Sequence, residues 1–100
     1  MRRGHVIAGL LCAWVLWENI IVSGSQQANA WAILDAREVL SQCEAVMRGF
    51  KDSEKTKSEK EGATVTVHPR AVTVKRENRE EFIRYFCLPA GTDPRPRTTD

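Results

Sequence analysis

The spacing of apolar residues changes along the chain, and each pattern predicts a different element. In residues 31–50 the apolar side chains recur every three or four positions, at Ile33, Ala36, Leu40, Cys43, Met47 and Phe50. This period is typical of one face of an α-helix. We therefore expect an amphipathic helix here that carries Cys43 on its apolar face and ends near Gly49, because glycine is common just after a helix.

The middle of the chain is first polar and then alternating. Residues 51–62 are almost entirely charged or hydroxylated, so they predict a solvated charged linker. Residues 63–74 alternate threonine and valine on both sides of His68-Pro69-Arg70, which is the pattern of a short β-hairpin. In such a hairpin the valines would face inward and the threonines outward.

A second helix is predicted over residues 78–88. Asn78 is a good N-cap, and Glu81 stands in the capping-box position three residues later. Apolar side chains share one helical face, at Phe82, Ile83, Phe86 and Cys87. Pro89 and Gly91 end the helix, and residues 92–100 are predicted to be a disordered tail. The expected fold is thus mainly α, with two amphipathic helices flanking the linker and the hairpin.

The N-terminus has the three parts of a secretory signal peptide. Arg2 and Arg3 precede an apolar run, and Ala28 and Ala30 offer the small residues that signal peptidase accepts, so residues 1–30 are predicted to be removed. A cut after Gly24 is the other candidate. The competing interpretation is an inner-membrane anchor through residues 6–22. Cleavage would leave a periplasmic or secreted domain over residues 31–91, with no membrane contact.

The cysteine count changes with that cleavage. Of the three cysteines, Cys12 lies in the signal segment, and Cys43 and Cys87 remain. An even number in an oxidising compartment predicts a disulfide, which would join the two predicted helices across their apolar faces. Two buried free thiols are the alternative. A small core of this size also benefits from a covalent link.

Composition argues against several functions. The chain has 15 basic and 13 acidic residues, interspersed along the sequence, so a nucleic-acid partner is not expected. His68 lacks a second ligand at metal-binding spacing, and no phosphate-binding or hydrolase motif is present. We therefore predict neither an enzyme nor a metal or other cofactor. Binding to a protein partner remains, with Trp31, Phe50 and Tyr85 as candidate contact residues, although each could instead belong to the core.

Two motifs carry a resemblance to a known family. Leu40-Ser41-Gln42-Cys43-Glu44-Ala45-Val46 and Phe86-Cys87-Leu88-Pro89-Ala90-Gly91 resemble segments of the Rap/Tai type of periplasmic immunity proteins. The resemblance implies a mainly helical, disulfide-bonded protein that neutralises a cell-wall-acting effector delivered by type VI secretion. It also implies a Cys43–Cys87 disulfide and a turn at Pro89 and Gly91. The alternative function is a structural or stress-related envelope protein without catalytic activity.

Overall fold

The fold is a β-sheet with a helix packed on it. The structure, a computed structural model, describes residues 13–24 and 28–96. Strands make up 52% of the described residues and helix 26%, so the predicted mainly α fold is wrong. The elements are, in chain order, β1 (Trp14–Gly24), β2 (Ala28–Arg37), α1 (Leu40–Lys60), β3 (Thr64–His68), β4 (Ala71–Lys75) and β5 (Arg79–Pro89).

All neighbouring strands of the sheet are antiparallel, and their order is β2-β1-β5-β4-β3. β1 is therefore an inner strand, paired with β2 on one side and with β5 on the other. Its sequence is rich in β-branched and aromatic residues, which pack well on a pleated surface. A largely apolar segment of this kind fits an inner strand as well as a signal segment.

β1 lies within the segment predicted to be a signal peptide. Residues 1–12 lie outside the described residues, and a cut after either Gly24 or Ala30 would remove the whole of β1. The signal peptide, its cleavage site, the exported location and the alternative membrane anchor stay predictions. Among the described residues, no helix combines the length and the apolar composition that a bilayer crossing requires.

The core lies between α1 and one face of the sheet. Cys43 and Met47 of α1 point towards this face. The buried sheet residues that they meet are Leu16, Val72, Val74, Ile83 and Tyr85. Register confirms that these side chains share a face, because Leu16 lies opposite Cys87 and Val72 lies opposite Ile83.

The first predicted helix begins nine residues later than residue 31, because Trp31–Arg37 belongs to β2 and α1 starts at Leu40. The helical spacing of apolar residues is present in this stretch, but pairing with β1 decides the conformation. The inner strand β1 has backbone donors and acceptors on both edges, and β2 satisfies those of one edge.

The predicted charged linker is also helical. α1 continues to Lys60, and within it Lys55 and Glu59 form an i,i+4 salt bridge of 3.0 Å. Lys51 is buried, and its Nζ donates hydrogen bonds to the carbonyl oxygens of His68 and Pro69, at 2.8 and 2.7 Å. The polar segment thus gains order from side-chain bonds to the hairpin turn, which apolar content alone does not reveal.

The second predicted helix is wrong, because Arg79–Pro89 forms β5. In a strand, successive side chains point to opposite faces. Ile83, Tyr85 and Cys87 therefore face α1, whereas Phe82 and Phe86 lie on the other face. Apolar residues on both faces of an inner strand produced the cluster that resembled a helical stripe.

The hairpin prediction is confirmed. β3 and β4 pair in antiparallel register, with Val65 opposite Val74 and Val67 opposite Val72. The valines share the face that packs on α1, where Val72 and Val74 are fully buried. Val67 lies at the outer edge of the sheet and remains 42% exposed.

Gly24, at the end of β1, has a φ of 116°, a conformation that residues with side chains rarely adopt. A Cβ at this position would lie 2.7 Å from the carbonyl oxygen of Asn78 and 2.8 Å from the Cα of Arg79. The backbone of Gly24 therefore lies too close to the backbone of Asn78 and Arg79, where β5 begins, to leave room for a side chain.

Candidate functional site

The sheet face opposite α1 carries a cluster of aromatic and cationic side chains. Cross-strand pairing places Trp17 beside Phe86 and Asn19 beside Arg84, with Trp31 next to Asn19 on the other side. We call Trp17, Trp31, Arg84 and Phe86 the aromatic patch. Strand alternation puts all of them on the face that α1 does not cover.

The rings of the aromatic patch contact one another. Trp31 stacks on Phe86 with ring centroids 5.7 Å apart and an interplanar angle of 28°. Trp17 meets Trp31 edge to face, at 6.3 Å and 77°. Trp17 is only 7% exposed, whereas Trp31 and Phe86 remain partly accessible. Trp31 and Phe86 therefore form the accessible part of a rigid apolar surface.

Arg84 adds a fixed positive charge to this surface. Its guanidinium carbon lies 5.2 Å from the centroid of the Phe86 ring, within the range of a cation–π interaction. Its Nε and Nη2 donate hydrogen bonds to Asn19 Oδ1, at 3.1 and 2.7 Å. None of the salt bridges among the described residues involves Arg84. Its charge is therefore not compensated by a carboxylate of the described chain.

The segment after β5 reaches the border of the aromatic patch. The guanidinium of Arg95 lies 5.5 Å from the centroid of the Trp17 ring. Asp93 holds Arg95 by side-chain hydrogen bonds of 2.9 and 2.7 Å, and these bonds lower the pKa of Asp93 to about 2. Trp17 Nε1 is buried and has no hydrogen-bond partner among the described residues. Arg95 thus covers Trp17, and Trp31 and Arg84 stay accessible.

On the α1 side of the sheet, a cluster of arginine and glutamate side chains forms ion pairs. Arg76 bridges Glu61 and Glu81, at 3.0 and 3.4 Å, and Arg79 also contacts Glu81 at 3.2 Å. These side chains line a groove of about 310 Å³ beside the C-terminal half of α1. Because its charges are paired, the groove offers no fixed charge for a ligand.

Glu18 lies next to Tyr85 on this same face. Burial raises the pKa of Glu18, and the negative charge of Glu54 raises it further, against the opposing effect of Lys57. Burial also raises the pKa of the Tyr85 hydroxyl. Within the described residues, no group of three or more His, Cys, Asp or Glu side chains could hold a metal ion.

The three predicted contact residues do not come together. Trp31 lies in the aromatic patch, whereas Tyr85 is 1% exposed in the core on the opposite face of the sheet. Phe50 lies on the outer surface of α1 and is 36% exposed. Only Trp31 therefore belongs to the candidate site, and Tyr85 has the core role that was its alternative.

The predicted disulfide is confirmed, with Cys43 of α1 bonded to Cys87 of β5. It joins a helix to an inner strand, and the prediction that it joins two helices is wrong. Cys87 and Phe86 are neighbours in β5 and point to opposite faces of the sheet. The disulfide therefore fixes, from the α1 side, the strand whose other face carries part of the aromatic patch.

Sequence reasoning missed Asn19, Arg84 and Phe86 as site residues. Asn19 lies in the segment predicted to be a signal peptide, and Arg84 and Phe86 lie in the predicted second helix. A strand interpretation of residues 79–89 would have placed Arg84 and Phe86 on one face, because they are two residues apart.

A scan against protein-family models and searches of curated proteins and solved structures found no match to this chain. The mainly helical fold that the Rap/Tai resemblance implies is not the fold observed.

Proposed function

We propose that this chain is a small exported binding protein without catalytic activity, which retains β1 in its folded form and contacts a protein partner through the aromatic patch. The observation that carries the proposal is the stack of Trp31, Phe86 and Arg84 on the sheet face that α1 leaves uncovered. Trp and Arg are enriched among the residues that dominate binding energy at protein interfaces. Their positions are held by neighbouring side chains, so little conformational entropy would be lost on binding.

The chemistry of the patch suggests what the partner offers. Arg84 uses Nε and Nη2 on Asn19, and its remaining N–H groups are available to an acceptor. An aspartate or glutamate that reaches Arg84 beside an apolar side chain on Trp31 would match both parts of the patch. We expect the partner to present such an acidic and apolar segment.

Neutralisation of a secreted, cell-wall-acting effector is the form of binding that we propose to test first. Inhibition by occlusion needs a rigid surface and no catalytic group of its own, and the stacked rings of the aromatic patch offer such a surface. The Cys43–Cys87 disulfide would also hold the domain together in an oxidising compartment.

The test uses immobilised full-length chain and an extract of the cell envelope. Three baits are compared, namely the wild type, Trp31→Ala and Phe50→Ala, because Phe50 is a partly exposed aromatic residue outside the patch. A partner of the patch is retained by the wild type and by Phe50→Ala and is lost with Trp31→Ala. Equal retention by all three baits would contradict the proposal.

The effector hypothesis has its own readout. The captured partner is purified, and its hydrolysis of peptidoglycan is measured with and without a stoichiometric amount of the chain. Inhibition that Arg84→Gln weakens about tenfold or more would support occlusion through the patch. A partner without cell-wall activity would support binding and reject the effector. A chain that retains no partner at all would favour the structural or stress-related envelope protein.

A further inference from the structure

β2 is a long outer strand whose edge is open in the described part of the structure. It forms one border of the sheet and contains ten residues, whereas β3 at the other border has five. Between Ala28 and Leu34 it contains no proline and no charged residue. Proline and charge are the usual means by which outer strands are kept from pairing with another chain.

The direction of the free backbone groups of β2 follows from a single contact. The carbonyl oxygen of Ala30 accepts a hydrogen bond of 3.1 Å from Nδ2 of Asn19 in β1, so this carbonyl points towards β1. In an antiparallel strand the N–H and C=O of one residue point to the same side, and adjacent residues alternate. The N–H and C=O groups of Asn29, Trp31 and Ile33 therefore point away from the sheet.

The side chains along this edge are apolar and accessible. Ile33 is 58% exposed, the largest exposed fraction among the large hydrophobic residues of the described part. Trp31 is next to it on the same face, two residues earlier, and belongs to the aromatic patch. Among the described residues, the edge therefore combines backbone groups that have no partner with apolar side chains that are accessible to solvent.

We infer that β2 pairs with β2 of a second copy of this chain, in antiparallel orientation, about a two-fold axis at Trp31. The two five-stranded sheets would then form one continuous sheet of ten strands. With the axis at Trp31, whose backbone groups point outward, Trp31 forms a hydrogen-bonded pair with its own copy, and Ala30 and Ala32 form the non-hydrogen-bonded pairs on either side. Trp31 is the central residue of the uncharged run, and the irregularity of β2 opposite Leu16 and Trp17 limits pairing beyond Ile33.

This register is self-complementary. Trp31 lies opposite Trp31 of the second copy, and Asn29 lies opposite Ile33. Because the axis is perpendicular to the sheet, the two aromatic patches lie side by side on one face of the dimer. The charged residues of β2, Asp35 and Arg37, lie outside the paired run and bind each other at 2.8 Å. The net charge of +2 gives little repulsion between copies.

The first test is sedimentation equilibrium of the oxidised full-length chain between about 10 µM and about 1 mM, since a short edge-to-edge contact gives a weak dimer. We expect a monomer–dimer equilibrium. Ile33→Lys places a charge on the β2 edge and should raise the dissociation constant about tenfold or more. Val67→Lys is the matched control, because Val67 is an exposed apolar residue on the opposite edge, and it should leave the constant unchanged.

The second test reads the register. Ala30 of one copy lies opposite Ala32 of the other, and both side chains are exposed. A mixture of Ala30→Cys and Ala32→Cys chains, each carrying Cys12→Ser so that no other thiol can cross-link, should form an intermolecular disulfide under mild oxidation, whereas neither variant should do so by itself. Cross-linking of one variant with itself at the same rate would overturn the register.

These tests are separate from those of partner binding. Arg84→Gln should weaken capture of the partner and leave the dimer intact, and Ile33→Lys should do the reverse. A chain that remains monomeric at about 1 mM, or a dimer that Val67→Lys disrupts and Ile33→Lys does not, would overturn the inference.

Discussion

Asn19 in β1 holds Arg84 in β5 by two hydrogen bonds to one oxygen, at 3.1 and 2.7 Å. The amide nitrogen of Asn19 is also used, since it donates to Asn29 Oδ1 at 2.7 Å and to the carbonyl oxygen of Ala30 at 3.1 Å. Asn19 is fully buried. One polar side chain therefore links β2, β1 and β5 and sets the position of the only patch residue that carries a charge.

Asn19→Ala should destabilise the fold by about 1–3 kcal/mol, because it removes a buried hydrogen-bond partner of Arg84, Asn29 and Ala30. It should also weaken partner binding, since Arg84 would no longer be held in one position. Urea denaturation gives the first quantity, and capture of the partner gives the second.

A double-mutant cycle with Arg84→Ala separates the Asn19–Arg84 interaction from other effects of each change. We expect a coupling energy of about 0.5–3 kcal/mol. Strictly additive losses would show that the two side chains contribute independently. Arg84→Lys should weaken partner binding about as much as Arg84→Ala does. An ammonium group lacks the planar geometry with which the guanidinium engages Asn19 and stacks on Phe86.

Reduction of the Cys43–Cys87 disulfide should lower the free energy of unfolding substantially. The bond closes a loop with a sequence separation of 44 residues, for which the loss of unfolded-state entropy corresponds to roughly 4 kcal/mol. Urea denaturation with and without reductant measures the difference, and Cys43→Ala combined with Cys87→Ala is the matched variant. A midpoint that reductant does not change would contradict the expectation.

A chain that begins at Trp31 should fail to fold, whereas one that begins at Ala13 should retain the sheet. β1 pairs with β2 and β5 along most of its length, so its loss splits the sheet and exposes the apolar face of β5. Circular dichroism and amide exchange of the two truncated chains give the comparison. If the shorter chain folds cooperatively, β1 is dispensable, and a cut after Ala30 is compatible with a stable domain.

Glu18 should make stability fall as pH rises from mildly acidic values. Its pKa is raised in the folded state above the ordinary 4.5, first by burial and then by Glu54. Between 4.5 and the higher folded value the folded chain binds more protons than the unfolded one, so the free energy of unfolding decreases with increasing pH. Well below this pH window Glu18 is protonated in both the folded and the unfolded chain, so it adds no pH dependence to the free energy of unfolding.

The variant Glu18→Gln isolates this contribution. It should remove the slope and raise stability near neutral pH by less than about 1 kcal/mol, because Glu18 remains partly exposed. Subtracting the two pH profiles cancels the opposite contributions of Asp35 and Asp93, whose pKa values are lowered by arginine partners. An identical slope in both proteins would show that Glu18 is not its source.

Local sequence pattern was sufficient for the hairpin and for the disulfide. The alternation of threonine and valine over residues 64–74 matches the period of a strand and nothing else, and once Cys12 is assigned to the signal segment the other two cysteines have one way to pair. Both features depend on near neighbours or on simple counting. The remaining strands required information about long-range pairing.

β1 and β5 were missed for a common physical reason. Inner strands with apolar residues on both faces lose the period-two signal, so Trp14–Gly24 resembled a signal segment and Arg79–Pro89 a helix. The aromatic patch was missed with them, because Asn19 and Arg84 are 65 residues apart and meet only when β1 and β5 pair. Of its members, only Trp31 was identified as a contact candidate.

The close approach at Gly24 restricts evolution of this chain at one position. Any other amino acid there would collide with the backbone of residues 78 and 79, which cannot move without breaking the end of β5. Saturation mutagenesis with selection for folded chains should therefore return glycine alone at this position, while the exposed neighbour Ser23 accepts many substitutions. The same small residue that suggests a peptidase site in the sequence is thus required for a steric reason in the folded protein.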